Sequence, residues 1–185
     1  VALILGDNFF YGQNLTEKLK NNVGLKNGAK VFLHPVKNPN LYGVATIDKK
    51  NKIIKIIEKP KNTKSNLAVT GLYFFDNNVI KYSKSLKFSK RNEIEITDLL
   101  NIYRRNKKLK ADFIGRGGAW LDTGSIKDYY SASNFISTIE ERQGLKIGCL
   151  EEISFRNKWI DKKDLIEASK FYGNCDYSRY LKDLI

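Results

Sequence analysis

The sequence predicts an α/β fold: a Rossmann-like, mixed, mostly parallel sheet flanked by helices, closing on a helical C-terminal tail. Three observations predict it. Short apolar runs at 1–6 and 29–36 have the length and continuity of strands buried on both faces. Helical periodicity falls between such runs, which is the pattern of an α/β sheet. A polar break at Asp48-Lys49-Lys50-Asn51 separates two strand-like segments and predicts one antiparallel hairpin, so the sheet is mixed.

Taken in order, residues 1–6 read as a buried parallel strand ending in Gly6-Asp7-Asn8, where a polar group is delivered past the strand end. Such a strand needs neighbours on both sides, so a segment is expected ahead of Val1. Residues 15–22 read as a helix ending near Gly24, and 29–36 as a second buried strand. Residues 43–48 and 52–58 form the hairpin. Residues 68–75 are a strand with a glycine inside it, a mark of close approach by a ligand or another backbone. A helix over 95–107 places Ile96, Leu99, Leu100 and Tyr103 on one face and ends in Arg and Lys, as the helix dipole favours. A short strand at 111–115 and three glycines precede Ala119-Trp120-Leu121-Asp122-Thr123-Gly124. The helix at 126–141 is expected to turn Ile126, Tyr129, Tyr130, Ile136 and Ile139 inward. Two more helices close the chain, one over 162–172 with Asp161 and Asp164 as a capping pair, the last capped by Asp176 or Ser178. These patterns suggest domains at 1–141 and 142–185.

Composition narrows the function. Of 185 residues, 42% are hydrophobic, with ten Phe and ten Tyr, enough for a real core. No apolar run approaches the ~18 residues of a membrane span and no signal-peptide pattern is present, so a cytoplasmic, membrane-free protein is expected. Cys149 and Cys175 have no metal or redox spacing and read as two reduced thiols. The net charge of +13 comes mostly from scattered lysines. No basic stretch is interleaved with stacking aromatics, so no nucleic-acid partner is expected.

Two aspartates carry the candidate chemistry. Asp7 follows a strand end, where open α/β sheets place ligands, and Asp122 follows an apolar pair. Together they are candidates to share one Mg²⁺, which commonly takes one or two carboxylates and completes its shell with phosphate oxygens and water. In Glu58-Lys59-Pro60, the lysine suits a phosphate and the glutamate suits hydroxyls. Strand alternation sends the two to opposite sides unless Pro60 bends the exit.

The segments Leu5-Gly6-Asp7-Asn8, Tyr42-Gly43-Val44, Glu58-Lys59-Pro60, Val69-Thr70-Gly71-Leu72-Tyr73, Glu95-Ile96-Thr97-Asp98 and Trp120-Leu121-Asp122-Thr123-Gly124 occur in that order. The set closely resembles the sugar-nucleotide pyrophosphorylases, and within them the glucose-1-phosphate thymidylyltransferases. The tail, with Glu141-Arg142-Gln143-Gly144-Leu145-Lys146, Glu151-Glu152-Ile153 and Lys158-Trp159-Ile160-Asp161, resembles that subfamily as well. The resemblance covers essentially the whole chain. It implies transfer of a nucleotidyl group from dTTP to glucose 1-phosphate, making dTDP-glucose for deoxysugar and cell-surface polysaccharide synthesis. It implies Mg²⁺ on Asp7 and Asp122, the sugar phosphate on Lys59, and a hexose pocket of Gly43, Glu58, Val69 and Tyr73 with Thr97 and Trp120 nearby. It also implies a homotetramer with end-product feedback, for which Arg116, Glu152 and Arg156 match in position. The family's Gly-rich triphosphate loop would lie ahead of Val1, so this chain alone is expected to be inactive. Two other readings stand beside this one: a catalytically dead homologue that keeps the sugar pocket for regulation or assembly, and a basic nucleic-acid-binding domain.

Overall fold

The computed structural model describes all residues, Val1–Ile185, as two compact units, Val1–Asp128 and Tyr129–Ile185. The division falls inside a helix, thirteen residues ahead of the boundary suggested by sequence.

The first unit is built on β6 (Leu67–Phe75), whose residues are buried from Ala68 to Phe75. On one edge β6 pairs antiparallel with β3 (Ala29–Pro35), and β3 pairs in parallel with β7 (Leu109–Phe113). The other edge is shared by two strands. β4 (Val44–Ile47) pairs with Leu67 and Ala68, and β1 (Ala2–Ile4) pairs with Leu72 to Phe74. The hairpin partner of β4 is β5 (Ile53–Ile57). A separate antiparallel pair, β2 (Asn8–Tyr11) with β8 (Ala119–Asp122), completes the strands.

The sheet is mixed, as expected, but its balance is not mostly parallel within this chain. Only β3 and β7 run parallel; every other pairing is antiparallel. The reason is topology: β4 and β5 are joined as a hairpin, and β6 is inserted between β3 and β4, running antiparallel to both. β1 is also not the buried parallel strand expected. It pairs with β6 alone, antiparallel, and Val1, Leu3 and Ile4 are exposed.

Strand alternation divides the side chains between two cores. Val31, Leu33, Val69, Tyr73 and Phe75 pack on one face with Leu99, Leu100 and Tyr103 of α3 (Ile96–Arg105). The apolar face read for this helix is therefore the one it buries. Phe32, Leu72 and Phe74 pack on the other face with Phe10 of β2 and Leu19 of the short α1 (Leu15–Lys20). The register of β3 against β6 shifts between Val31 and Leu33, so Thr70, Gly71 and Leu72 bulge opposite Phe32. The Thr70 hydroxyl donates to the Phe32 carbonyl at 3.0 Å and satisfies the acceptor that the bulge frees.

The second unit contains the length of α4 (Ile126–Gln143) beyond Asp128, with α5 (Leu150–Arg156), α6 (Lys162–Phe171) and α7 (Asp176–Asp183). Its core is Cys149, Leu165 and Leu181. The Asp161–Asp164 capping box is present as read. The last helix is instead capped by Cys175, whose sulfur accepts from the Ser178 amide. The inward face read for α4 is also corrected. Ile126, Tyr129 and Tyr130 are exposed, Ile136 and Ile139 are half-buried, and Ala132 is the buried residue. α2 (Val79–Lys84), α5 and β2 were not read from sequence.

One buried carboxylate ties the first unit together. Asp76, just past β6, accepts hydrogen bonds from the Gly28 amide at 2.7 Å, the Asn78 amide at 3.0 Å and the Tyr103 hydroxyl at 2.8 Å. Burial pushes its carboxyl up, but those donors outweigh burial and hold it below the ordinary carboxylate value. A depressed value means the stabilisation is present above the unfolded-state pKa and is lost as pH falls through the folded one. Asp76→Ala strands several buried donors and should cost at least about 3 kcal/mol in urea unfolding at pH 7. That cost should shrink in acid, and a variant equally penalised at all pH values would refute the electrostatic account.

Candidate active site

The cleft opens where the edge of β6 passes from one neighbour to the other. The Val69 amide donates to the Gly43 carbonyl at 2.7 Å, and two residues on the Leu5 amide donates to the Gly71 carbonyl at 2.9 Å. Between these contacts β4 and β1 diverge, and a cavity of 160 Å³ forms. Val69, Gly71 and Tyr73 line it as alternate residues of β6. Asp7, Gly43, Glu58, Lys59, Val69, Tyr73, Thr97, Trp120 and Asp122, the nine residues read from sequence for metal and sugar, all line this one cleft.

They arrive from six segments of the chain. Asp7 stands in the turn between β1 and β2, and Asp122 ends β8. The β2–β8 ladder sets Asn8 opposite Asp122, and both the amide and hydroxyl of Thr123 donate to the Asp7 carbonyl at 2.8 and 2.9 Å. The two carboxylates flank Gly124: a Cβ there would lie 3.0 Å from Asp122 Oδ1 and 3.7 Å from Asp7 Oδ2. Glu58 and Lys59 follow the end of β5. Lys59 adopts φ of 38° and its amide donates to the Tyr42 carbonyl at 3.0 Å. This left-handed residue, rather than Pro60, breaks strand alternation and brings both consecutive side chains to the cleft. Thr97 enters from the first turn of α3 and is buried. Gly43 has no room for a side chain, because a Cβ would sit 2.8 Å from Thr97 Cγ2 and 3.2 Å from Glu58 Oε2.

Residues 1–139 match the family described as Nucleotidyl transferase. The chain belongs to the nucleotidyl transferase family. Over its whole length it is 45% identical to a glucose-1-phosphate thymidylyltransferase of Neisseria gonorrhoeae, of which it spans 64%. Over 183 residues, 99% of the chain, it is 46% identical to a Xanthomonas campestris protein of the same name, of which it spans 62%. The chain therefore spans a little under two thirds of the length of these relatives. Among solved structures, a UDP-glucose pyrophosphorylase complexed with UDP-glucose is similar over 74% of this chain and 55% of its own, with a TM-score of 0.64 and 26% identity. A Bacillus anthracis protein solved in complex with sucrose is 41% identical, with a TM-score of 0.61 over 72% of this chain and 53% of its own.

In this nucleotidyl transferase the cleft also holds two residues to which sequence assigned no role, Asn8 and Tyr42; both lie inside the quoted motifs, and the signal for them was adjacency to the residues chosen. Gly71, the strand glycine read as a mark of close approach, lines it as well. The Tyr42 ring meets Trp120 edge-on at 5.0 Å, and burial, then the Asp122 and Asp128 carboxylates, raise its phenol pKa. Tyr73 is raised by burial, then by Glu58 and Asp7. Arg91, absent from the sequence reading, lies 3.7 Å from Glu58 and 3.4 Å from Glu95. Arg116, read as an effector residue, is exposed in the turn between β7 and β8 of the first unit. Glu152 and Arg156 lie together on α5 in the second unit, where Arg156 Nε donates to Glu152 Oε1 at 2.6 Å.

Glu58 is the strained charge of the cleft. Burial, then the Glu95 carboxylate, push its pKa up, against a Thr97 hydrogen bond and the charges of Lys59 and Arg91. A raised carboxylate contributes stability that is fully present below the ordinary Glu value and is lost as pH rises through the folded one. Glu58→Gln should therefore raise the melting temperature at pH 7, with the gain fading as pH falls through the raised Glu58 value and gone below about pH 4.3. A variant that melts lower at pH 7 would show that its partners, not burial, dominate.

Proposed function

We propose that this chain carries the metal and sugar-phosphate side of a glucose-1-phosphate thymidylyltransferase, which joins dTTP and glucose 1-phosphate into dTDP-glucose and pyrophosphate. The observation that carries the reading is the convergence of nine residues from six separate segments on one cleft, in a chain whose relatives bear that name.

The donor set fits Mg²⁺. Asp7 and Asp122 offer hard carboxylate oxygens on either side of Gly124, and no third His, Cys, Asp or Glu joins them. A pair that leaves most of the shell to phosphate oxygens and water is the arrangement Mg²⁺ takes beside phosphates. Bound there, the ion would supply charge neutralisation of the reacting phosphates. The remaining work belongs to the chain. Lys59 holds the sugar phosphate as a point charge, its backbone fixed by the Tyr42 contact. Glu58 accepts from sugar hydroxyls, and its half-buried carboxylate keeps them in one orientation. Gly43 lets the hexose approach the backbone, and Tyr73 and Trp120 wall the pocket. Held this way, a sugar-phosphate oxygen attacks the α-phosphorus of the triphosphate, the α–β bridging bond breaks and pyrophosphate leaves. Alignment of the attacking oxygen is the catalytic contribution.

In the full-length protein, Lys59→Ala should weaken use of glucose 1-phosphate by about 10–100-fold, the loss of a charge-assisted contact of roughly 1.5–3 kcal/mol, and leave nucleotide binding nearly unchanged. Asp7→Asn and Asp122→Asn should each cut pyrophosphate release by orders of magnitude with the fold intact. Steady-state titration of each substrate reads both. Equal weakening for both substrates in Lys59→Ala would place the sugar phosphate elsewhere. A folded full-length protein that turns over no sugar 1-phosphate with any nucleotide would leave the dead-homologue reading.

A further inference from the structure

We propose that Asn8 is the positioning residue that aims the Asp7 carboxylate and locks it to the wall of the sugar pocket. The inference rests on the reading of Asp7 as a metal carboxylate. Asn8 makes three side-chain hydrogen bonds. Its Oδ1 accepts from the Trp120 indole at 2.6 Å and from the Gly71 amide at 3.0 Å, and its Nδ2 donates to Asp7 Oδ1 at 2.8 Å. The direction of this amide is forced, not chosen. An indole N–H and a backbone N–H are donors only, so the carboxamide oxygen must face them. The NH₂ group then has to face Asp7.

The consequence for Asp7 is directional. One carboxylate oxygen, Oδ1, is held by Asn8, and the other, Oδ2, lies beside Gly124, as does Asp122 Oδ1. Donors that hold a ligating carboxylate by its other oxygen fix its orientation, and their loss typically costs ~10–100-fold in metal affinity. Space for the relay is provided by Gly71, since a Cβ there would lie 2.6 Å from the Asn8 carboxamide. Trp120, held at its Nε1, packs edge-on against Tyr42. One amide thus joins the metal side of the cleft to its aromatic wall, and a change at Asp7 is felt at the Trp120 indole.

Two measurements on the full-length protein test this. The first follows the indole N–H signals of Trp120 and Trp159 in a ¹⁵N-labelled sample. Mg²⁺ should shift Trp120 and leave the exposed Trp159 in place, and the shift should vanish in Asp7→Ala. The second titrates Mn²⁺ in the presence of glucose 1-phosphate, read by loss of the free-ion electron paramagnetic resonance signal. Asn8→Ala should weaken binding about tenfold in the wild-type background and have no further effect in Asp7→Ala. The same loss in both backgrounds, or no loss in either, overturns the relay. So does a Trp120 signal that ignores Mg²⁺. Should Asn8→Ala fail to fold, the indole comparison of wild type with Asp7→Ala decides alone. Wild-type protein that binds no Mn²⁺, or Asp7→Ala that binds it as tightly, would instead refute the metal reading itself, and the relay with it.

Discussion

The structure of the first unit depends on a single constraint: β6 must be buried on both faces while one of its edges serves two different strands. β4 holds Leu67 and Ala68, β1 holds Leu72 to Phe74, and the residues between are left without a ladder partner on that side. Backbone groups in such a gap must still be paired. They are paired one by one, by the Val69 to Gly43 and Leu5 to Gly71 bonds and by Asn8, whose carboxamide takes the Gly71 amide. The cleft is the space that this divergence creates, and every residue pairing the gap lies in its wall. On the opposite edge the bulge at Thr70 to Leu72 falls at the same level. A bulge bends its strand and increases the local twist.

Three glycines keep the cleft open for three different reasons. Gly43 yields its side-chain space to Thr97 and Glu58, Gly71 yields its own to the Asn8 amide, and Gly124 leaves clear the point that Asp7 and Asp122 both face. None of the three has a positive φ. Their role is steric clearance rather than backbone freedom, so alanine at Gly43 or Gly71 would have to displace a functional side chain.

Strand periodicity made much of this legible. Once 68–75 reads as a strand, Val69 and Tyr73 fall on one face with Gly71 between them, and the cleft follows from that face. The apolar stripe of α3 is equally plain, and it is the stripe the helix buries. What failed had physical causes. Asn8–Tyr11 is a four-residue strand, half-buried throughout, too short to show alternation, and its partner β8 lies more than a hundred residues away. The ladder that brings the two aspartates together was therefore invisible locally, although both aspartates were chosen. The antiparallel balance of the sheet was missed because an apolar run shows burial and not direction. In α4, large apolar residues were taken for an inner face, but periodicity alone does not say which neighbours exist to cover them.

Lys59 shows why a site departs from the rules that reveal the rest. A non-glycine residue at φ of 38° is conformationally costly, on the order of 1–2 kcal/mol, and the neighbouring Glu58 is a carboxylate that burial and Glu95 disfavour. Local propensity would remove both. They persist because the surroundings over-determine them: the Lys59 amide is tied to the Tyr42 carbonyl, and Glu58 is held between Thr97 and Arg91. Two unfavourable features at adjacent positions, each fixed by contacts from a different element, are what stored strain at a functional site looks like. The alternating strand would have sent one of these side chains away from the cleft. The left-handed turn puts a cation and a hydrogen-bond acceptor side by side in it, and the proposed sugar-phosphate contact rests on that pairing.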